Sequence, residues 1–409
     1  MERPSAASAE NPRALFLSPE APYPLIGGGP LRTASLLEYL SRRYSVDIIV
    51  FQDNGAPDPL AAIPRGLAER AEVISLPRHS KHAMARAARN GIRLLRGRPP
   101  LLDRFSGFEK QIARFVSGQQ YDLAVVEHFW CAPYIEQLRP HAKAAWLDLH
   151  NIESAWHLSL ADVAPSPPQA AAHRRFARAY FGIERLLLPA FDALLVTSEQ
   201  DAARARSIAP RIRTVLYPNA LPSVPAIDRH EDDAIAFSGN LEYEPNKAAI
   251  RFFKDSIWPM LRDRWPQLVW RIIGKNPQAV ARLLAGDPRI HLAGPVDDAV
   301  AALARAKAAV VPLLAGSGTR IKILEAWAAA TPVVSTSFGA EGLKCRAGGH
   351  LLLADTPGEF TDQVSKLLGS PQLRLQIGQA GWQLCQDHYT WTAAWTALEE
   401  ALRKQHTSA

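Results

Sequence analysis

The fold of this chain is decided by the stretch VVPLLAGSGTRIKILEAWAAATPVVST (310–336). It opens with an apolar run, passes through a loop of small residues, continues with apolar residues at helical spacing and ends in a second valine-rich run. A strand, loop, helix and strand in this succession is typical of a parallel sheet covered by helices. We therefore expect an α/β fold.

The same alternation extends through the rest of the chain. Seven runs rich in Val, Ile and Leu come first, at 14–17, 46–51, 71–76, 121–126, 144–149, 193–198 and 212–217. Six more follow, at 234–239, 268–274, 289–294, 308–313, 332–336 and 350–354. The proline-punctuated segment YPNALPSVPAIDRHEDD (217–233) separates the two sets. We predict two doubly wound, Rossmann-like domains (1–216 and 234–385), a linker (217–233) and a C-terminal helix (386–409) whose expected course includes a return to the first domain.

Composition excludes several classes of protein. The 409 residues are 47% hydrophobic, and the 32 prolines are spread along the chain, which excludes low complexity. Three cysteines make no disulfide framework or zinc motif, and no window approaches a membrane span of about 18 apolar residues. The opening segment lacks the apolar core of a signal peptide. These features predict a cytoplasmic protein. Because metal-binding DxD and HExxH patterns are missing, we expect neither a metal nor a cofactor.

The net charge of +7 is concentrated in the first half, and residues 78–114 contain ten basic residues against two acidic ones. Residues 80–105 predict a basic amphipathic helix, with apolar residues at helical spacing: Met84, Ala88, Ile92 and Leu95. One interpretation is peripheral docking to the anionic inner face of the plasma membrane. The other is a solvated face on a helix that covers the sheet. Nucleic acid is not expected, because interleaved aromatic residues are missing.

The small-residue loop of the opening stretch predicts an anion site. Backbone amides in such a loop and at the start of a helix carry partial positive charge, and glycine permits close approach. Gly318, Lys322 and Glu325 share one helix face, so a cation suited to phosphate lies one turn from a carboxylate suited to ribose hydroxyls. A solvated face with helix-stabilising charge pairs is the alternative.

Five segments together resemble a known family. They are FSGNLEYEPNKAAIRFF (237–253), IIG (272–274), GSGTRIKILEA (316–326), TPVVSTSFGAEGL (331–343) and DLHNIES (148–154). In combination they resemble the retaining glycosyltransferases of family 4, the GSGTR-type sugar transferases of bacterial polysaccharide biosynthesis, whose fold is GT-B. The resemblance implies two Rossmann-like domains that bind a nucleotide-diphosphate sugar without a metal.

The resemblance also assigns residues to the donor. It implies donor binding by Gly239, Asn240, Lys247, Ser317, Gly318, Thr319 and Glu325, with Arg320 and Lys322 near the diphosphate. Two positions depart from the family pattern. Ser317 stands where a glutamate usually approaches the donor sugar, and Asn240 stands where an arginine is usual. Asn246 and Lys247 can alternatively be a helix start after Pro245.

In the first domain, glycines and histidines follow predicted strands. Gly27, Gly28 and Gly29 predict a loop before a helix start that favours an anion, and Arg32 adds a cation. The resemblance implies that this loop lies beside the donor diphosphate and the acceptor. By resemblance, His128 hydrogen-bonds a donor-sugar hydroxyl. The segment containing His150, Asn151 and Glu153 resembles the family's HN(V/I)E segment, with a role in orienting acceptor or sugar. Asp148 is interpreted as a turn cap.

The predicted function is retaining transfer of a hexosyl unit from a nucleotide-diphosphate sugar to a saccharide or lipid-linked acceptor, in cell-envelope or exopolysaccharide synthesis. Two alternatives remain. Because Ser317 replaces a glutamate, the chain can instead be a non-catalytic GT-B partner subunit that binds a nucleotide sugar or glycan. A sugar-nucleotide epimerase is the other alternative.

Overall fold

Two parallel sheets organise the computed structural model, which describes residues 11–78, 82–223, 225, 229–316 and 320–406. The first sheet has seven strands in the order β3-β2-β1-β4-β5-β6-β7. They are β1 (Arg13–Ser18), β2 (Ser45–Asp53), β3 (Arg70–Leu76), β4 (Tyr121–Glu127), β5 (Ala142–Leu149), β6 (Ala193–Val196) and β7 (Thr214–Leu216). Pairing is parallel between β1 and both β2 and β4, between β2 and β3, and between β4 and β5.

The second sheet has six strands in the order β10-β9-β8-β11-β12-β13. They are β8 (Asp232–Ser238), β9 (Val269–Ile273), β10 (Ile290–Gly294), β11 (Ala306–Val311), β12 (Val333–Ser335) and β13 (Leu352–Leu353), and all five neighbouring pairs are parallel. In both sheets the strand order reverses beside the first strand, as in doubly wound folds. Each predicted run contains a strand, so the prediction of two doubly wound sheets is confirmed.

Helices connect the strands. In chain order they are α1 (Gly28–Ser41), α2 (Ala83–Arg96), α3 (Pro100–Arg104), α4 (Glu109–Val116), α5 (Ile135–Leu138), α6 (Glu153–Asp162), α7 (Pro167–Leu187), α8 (Glu199–Ile208), α9 (Glu244–Phe252), α10 (Trp258–Arg264), α11 (Ala281–Leu284), α12 (Ala299–Ala304), α13 (Ile321–Ala328), α14 (Pro357–Gly369), α15 (Pro371–His388) and α16 (Trp391–His406). The last three form a helical C-terminal tail.

Burial explains why the strand sequences are continuous apolar runs. In β1, Leu15 and Phe16 point to opposite faces, and both are fully buried. Val125 and Val126 in β4 are equally buried. A parallel sheet covered on both faces needs apolar side chains at every position, and the valine-rich runs satisfy this need.

The described residues form two compact units. The first unit contains the described residues up to His150, with Gly182–Leu195 and Ile208–Thr214. The second contains Asn151–Phe181, Val196–Ser207 and the described residues from Val215 onward. Within the second unit, backbone hydrogen bonds join Leu221 to Tyr389 and Trp391, at the start of α16. The domain boundaries stated above, and the return of the C-terminal helix to the first domain, stay predictions.

The prediction of one helix over 80–105 is wrong. Gly97 ends α2 in the left-handed conformation, with φ of 62°, and Pro99 and Pro100 start a separate helix, α3. Residues 79–81 lie outside the described part of the chain. One other boundary also shifts: Gly28 and Gly29, expected in the loop before α1, belong to its first turn.

The apolar face of α2 lies in solvent. Met84 is 86% exposed, Leu95 81% and Ile92 51%. On another face, Arg93 is only 9% exposed and forms an ion pair with Asp103 in α3 at 2.8 Å. The helix therefore does not use its apolar stripe to cover the sheet. Within the described part of the chain, no helix combines the length and apolar character needed to cross a bilayer.

Candidate functional site

In the second unit, two glycines bring the carboxyl ends of β8 and β9 into close contact. Gly239 and Gly274 follow these strands with φ of 148° and 149°, in the region that favours glycine. A Cβ on Gly274 would lie 1.7 Å from the carbonyl oxygen of Gly239. A larger residue at position 274 would therefore force the strand ends apart. Ligands of open parallel sheets bind at such carboxyl ends.

Lys322, in the first turn of α13, reaches this strand end. Its Nζ lies 2.5 Å from Oδ1 of Asn246 and 4.3 Å from the centroid of the Phe237 ring. A Cβ on Gly239 would be only 3.2 Å from the same Nζ. The side-chain amide of Asn246 also donates to the carbonyl oxygen of Asn240 at 2.7 Å. Asn246 thus joins α13 to the loop after β8.

Burial shifts the pKa of both charged residues on this face of α13. Desolvation, with a further contribution from the charge of Arg320, lowers the pKa of Lys322 to about 7. Desolvation raises the pKa of Glu325 to about 7, although Oε2 accepts a hydrogen bond from Ser238 Oγ at 3.1 Å. A buried ammonium that loses its proton near neutrality is poorly solvated. An anion placed beside it would therefore stabilise its charged form.

Arg320 immediately precedes α13 and is 8% exposed. Its guanidinium lies 5.2 Å from the centroid of the Phe338 ring, in cation–π contact. A Cβ on Gly316 would lie 3.4 Å from Nη1 of Arg320. The predicted ligands Ser317, Gly318 and Thr319 lie outside the described residues.

The structure brings Gly239, Asn240, Lys322 and Glu325 to one strand end, as the sequence interpretation requires. Lys247 instead forms an ion pair with Glu244 within the first turn of α9. Its predicted role near the diphosphate stays a prediction, and its charge is already balanced by that partner.

Sequence reasoning missed three residues of the second unit. Asn246 lies in the first turn of α9, is 5% exposed and accepts a hydrogen bond from the Lys322 ammonium. Ser159 in α6 accepts a hydrogen bond from Gly316 N at 3.1 Å and donates to Gly316 O at 3.3 Å. Trp156 Nε1 donates to the hydroxyl of Tyr243 at 2.8 Å. The pattern of a helix start after Pro245 pointed to the position of Asn246. No local sequence pattern could indicate the contact of Ser159 with Gly316, because 157 residues separate them.

In the first unit, His128 follows β4 in an unusual backbone conformation. Its φ is 61°, which is strained for a residue with a side chain, and its backbone amide donates to Asp148 O at 3.0 Å. The ring stacks on His150 at 3.5 Å between centroids and on Trp130 at 4.2 Å. Burial and the charge of His150 lower the pKa of His128 to about 4. His128 is therefore a neutral imidazole at physiological pH.

A buried ion network lies beneath His128. Arg32 donates from Nε to Asp148 Oδ2 at 2.7 Å and from Nη2 to Oδ1 at 2.5 Å, and both residues are essentially unexposed. His150 Nε2 lies 2.7 Å from Glu127 Oε2 and 3.4 Å from Asp148 Oδ2. Burial alone would lower the pKa of His150, but its hydrogen bonds to Asp148 and Glu127 raise it to about 9. His150 is thus an imidazolium between two carboxyl groups.

This network corrects the interpretation of two residues. Asp148 is the ion-pair partner of Arg32, so the turn-cap interpretation is wrong. The guanidinium of Arg32 is held inside the unit, so its placement does not support direct contact with a phosphate. The sequence interpretation missed this ion pair because Arg32 and Asp148 are 116 residues apart, and no local pattern indicates their contact.

The start of α1 already faces a carboxylate. A Cβ on Gly29 would lie 2.0 Å from Oε1 of Glu20, so a larger residue at position 29 would displace this carboxylate. Gly27, with φ of 100°, precedes the helix, and Gly28 is its first residue. The predicted preference of this loop for an anion agrees with this placement of Glu20. The ligand roles of the three glycines stay predictions.

Asn151 and Glu153 belong to the second unit, and Glu153 is 1% exposed at the start of α6. Their predicted role at the acceptor stays a prediction.

Among the described residues, Glu127, His128 and His150 offer possible metal-ligand atoms within 4.8 Å of one another. The imidazoles are stacked with only 27° between their planes, and His150 Nε2 is occupied by Glu127. A metal needs deprotonated nitrogen lone pairs that converge on one point, which stacked rings do not provide. The residues therefore fit an ion network better than a metal site.

Comparison with known proteins shows that Gly239, Asn240, Lys322 and Glu325 lie in a segment that matches a family model. Residues 232–370, from the start of β8 to the end of α14, match the family model described as Glycosyl transferases group 1. A Klebsiella pneumoniae protein named "Uncharacterized 44.6 kDa protein in cps region" is 22% identical over 377 residues, which cover 86% of this chain and 90% of that protein. Residues 232–370, which contain Gly239, Lys322 and Glu325, are thus similar to a glycosyltransferase group 1 domain.

Solved structures resemble the whole chain. Sucrose-phosphate synthase from Thermosynechococcus elongatus matches with a TM-score of 0.72 and 18% identity, over 97% of this chain and 100% of that one. Anabaena Alr3699/HepE in complex with UDP-glucose matches with a TM-score of 0.58 and 14% identity, over 96% and 99%. At these identities the likeness shows the fold, and the predicted GT-B architecture is confirmed.

Proposed function

We propose that this chain is a retaining glycosyltransferase that moves a hexosyl unit from a nucleotide-diphosphate sugar to a saccharide or lipid-linked acceptor in polysaccharide synthesis. The observation that carries the proposal is the Lys322–Asn246 pair beside Gly239, within the glycosyltransferase group 1 domain. The UDP-glucose complex of Anabaena Alr3699/HepE, which shares the fold, supports a donor of this class. The K. pneumoniae relative, named for a cps region, supports the synthetic context.

We assign the diphosphate to Lys322 and Arg320. Both are buried cations whose pKa is lowered by desolvation, so an anion beside them restores favourable electrostatics. Gly239 lets backbone approach the diphosphate, and Asn246 keeps the Lys322 ammonium in position. Glu325 is assigned to the ribose hydroxyls, as a carboxyl group one turn further along α13.

His128 is assigned to a hydroxyl of the donor sugar. A neutral imidazole can accept or donate one hydrogen bond to a hydroxyl group without adding charge. Its low pKa and strained backbone are features expected of a functional residue. Burial, with a further contribution from the charge of the stacked His150, lowers the pKa of His128 and keeps its ring neutral.

The reaction needs no dedicated base. The bond between the anomeric carbon and the diphosphate oxygen breaks as the acceptor oxygen bonds to the same carbon on the same face. The acceptor hydroxyl proton passes to the departing diphosphate oxygen. Lys322 and Arg320 stabilise the negative charge that develops on the diphosphate, and such electrostatic stabilisation is usually the largest catalytic contribution. Metal is not required in this proposal, because two cations of the chain take that role.

We further propose that α2 docks on an anionic membrane surface within the segment 78–114. Met84, Ile92 and Leu95 present an apolar stripe to solvent, and Arg96 lies exposed on the same helix. A membrane would cover the stripe and attract the exposed cations, each by about 1 kcal/mol. Such docking suits a lipid-linked acceptor and a location at the inner face of the plasma membrane.

A thermal-shift screen of nucleotide-diphosphate sugars tests the donor assignment. At least one such sugar should raise the melting temperature of the wild-type protein and leave Lys322→Met unchanged, because ligand binding to the native state stabilises it. If no compound shifts the wild type, or if the variant responds equally, the assignment is wrong.

A further inference from the structure

A cavity lies in the first unit, lined in part by Glu20 and Trp130. Its volume is about 430 Å³, within the usual range for small-molecule sites. It opens at the carboxyl ends of β1, β2 and β3, where Glu20, Gln52, Asp53 and Leu76 contribute to its lining. The carboxyl ends of parallel strands are the expected place for a ligand in this fold.

One wall of the cavity is connected to His128 through stacked rings. Phe105 and Trp130, which both line the cavity, stack with 5.9 Å between centroids and 9° between planes. Trp130 then stacks on His128 at 4.2 Å and 13°. A molecule held against this wall therefore lies beside the residue that we assign to the donor sugar.

The polar lining of the cavity is held in place by its own hydrogen bonds. Gln52 Nε2 donates to the carbonyl oxygens of Ala56 and Pro57, both at 2.8 Å. Asp58 Oδ1 accepts from the backbone amide of Leu60 at 2.9 Å. The loop after β2 is thus an organised wall, on which Asp58 is exposed.

The charge of the lining is negative. Glu20, Asp53 and Asp58 contribute carboxylates, whereas Arg104 contributes the one cation among the described lining residues. That cation forms an ion pair with Asp53. An anionic ligand would meet like charges here, which disfavours its binding. A ligand with hydroxyl or ammonium groups would instead find acceptors.

We propose that this cavity binds the acceptor as a saccharide ring that is uncharged or carries an amino group, and that it rejects uronate and phosphorylated rings. The inference rests on the proposed glycosyl transfer. Aromatic and proline side chains suit the C–H faces of a pyranose, and carboxylates accept hydrogen bonds from its hydroxyls. Selectivity comes from the repulsion between the carboxylates and an anionic ring.

Saturation-transfer NMR and calorimetry on the full chain test the proposal. The probes are the methyl glycosides of glucose, galactose and glucosamine, with the methyl glucuronide and galacturonide as matched anions. We expect at least one uncharged or amino glycoside to bind, and its uronate to bind at least about tenfold more weakly. Equal affinity for the uronate, or no binding by any probe, overturns the proposal.

Two variants locate the binding. Ala62 lines the cavity and is exposed, so Ala62→Trp fills the space, while Ala61→Trp places the same bulk on the neighbouring exposed residue outside the lining. We expect Ala62→Trp to weaken saccharide binding about tenfold and Ala61→Trp to leave it unchanged.

A third variant tests the effect of charge. Asp58→Asn keeps an oxygen that accepts from Leu60 N but removes the negative charge. We expect the ratio of the affinities for the uncharged glycoside and its uronate to decrease at least about threefold. Unchanged saccharide binding in Ala62→Trp, together with an unchanged preference over the uronate in Asp58→Asn, would overturn the proposal.

A parallel measurement separates this inference from the proposed function. Thermal stabilisation by nucleotide-diphosphate sugars should persist in Ala62→Trp, which also reports that the variant is folded. If the wild-type protein binds nucleotide-diphosphate sugars but shows no preference among the saccharides, the cavity assignment alone is refuted. Selective saccharide binding in a protein that binds no nucleotide sugar refutes the proposed function instead.

Discussion

The ammonium of Lys322 lies 2.5 Å from the side-chain oxygen of Asn246, at the carboxyl end of the first strand of the second sheet. Asn246 is itself bound to the carbonyl oxygen of Asn240. A flexible lysine side chain is thereby fixed before any ligand arrives. Preorganised charge costs no reorganisation during the reaction, which is why we place this pair at the centre of the mechanism.

Removing the charge of Lys322 should abolish transfer without unfolding the protein. Lys322→Met retains an apolar side chain of similar length, and we expect kcat/KM to fall by about 10²–10³-fold because the developing diphosphate charge loses a partner. Steady-state release of nucleoside diphosphate measures this. Lys366→Met, at an exposed position of α14, is the matched control and should behave as wild type. Equal turnover in all three proteins would refute the role of Lys322.

The affinity for a nucleotide-diphosphate sugar should fall as pH rises. The pKa of Lys322 is about 7 in the ligand-free protein, so its charged fraction decreases above neutrality. Because the diphosphate favours the ammonium, binding at pH 8 should take up a proton and Kd should rise by up to about tenfold per pH unit. Calorimetry in buffers of different ionisation enthalpy measures both. Lys322→Arg should bind with a flatter pH profile, and a wild-type Kd independent of pH would contradict the prediction.

His150 should stabilise the fold at neutral pH and lose this effect in alkali. Its pKa is raised to about 9 in the folded state, above the unfolded value of about 6.5. Its contribution is therefore fully present below pH 6.5 and lost as pH rises through 9, on the order of 3 kcal/mol. We expect the difference in unfolding free energy between wild type and His150→Gln to shrink from pH 7 to pH 10. Lys322, whose pKa is lowered in the folded state, changes the unfolding free energy with pH in the opposite direction. Because both proteins contain Lys322, its contribution cancels in the difference between them.

Denaturant titrations at each pH measure that difference, with His291→Gln at an exposed position as control. The control difference should be the same at every pH. A wild-type advantage over His150→Gln that grows toward pH 10 would show that the imidazolium assignment is incorrect.

Binding to anionic vesicles should depend on the apolar stripe of α2. Replacing Met84 and Leu95 by glutamate adds two charges to the face that we place against lipid, so flotation with vesicles containing about 30% phosphatidylglycerol should fall at least fivefold. Leu186→Glu is the matched control, because Leu186 is 75% exposed on α7. Equal flotation of all variants would rule out docking by α2.

Periodicity predicted much of this molecule because parallel sheets leave a strong local pattern. Runs such as 14–17 are buried on both faces and therefore apolar throughout. The sequence could indicate that Lys322 and Glu325 share one face because one helix fixes their spacing. Both features lie within a few residues of sequence.

The remainder depends on contacts between distant segments. Nothing near Arg32 indicates that Asp148 will neutralise it, and nothing near Ser159 indicates Gly316. Amphipathic spacing in α2 predicted a helix with two faces but not which face would be buried, and the structure turns Arg93 inward and Met84 outward. Tertiary packing decided these cases.

Proton NMR of a nucleotide-diphosphate sugar, incubated with the protein and a panel of methyl glycosides and a short-chain polyprenyl diphosphate saccharide, tests the central claim most directly. We predict that the sugar appears on an acceptor with its anomeric configuration unchanged while nucleoside diphosphate is released, and that Lys322→Met does neither. A donor that binds but is never cleaved would identify a binding subunit, and an epimerised donor without transfer would identify an epimerase. Either result would contradict the proposal.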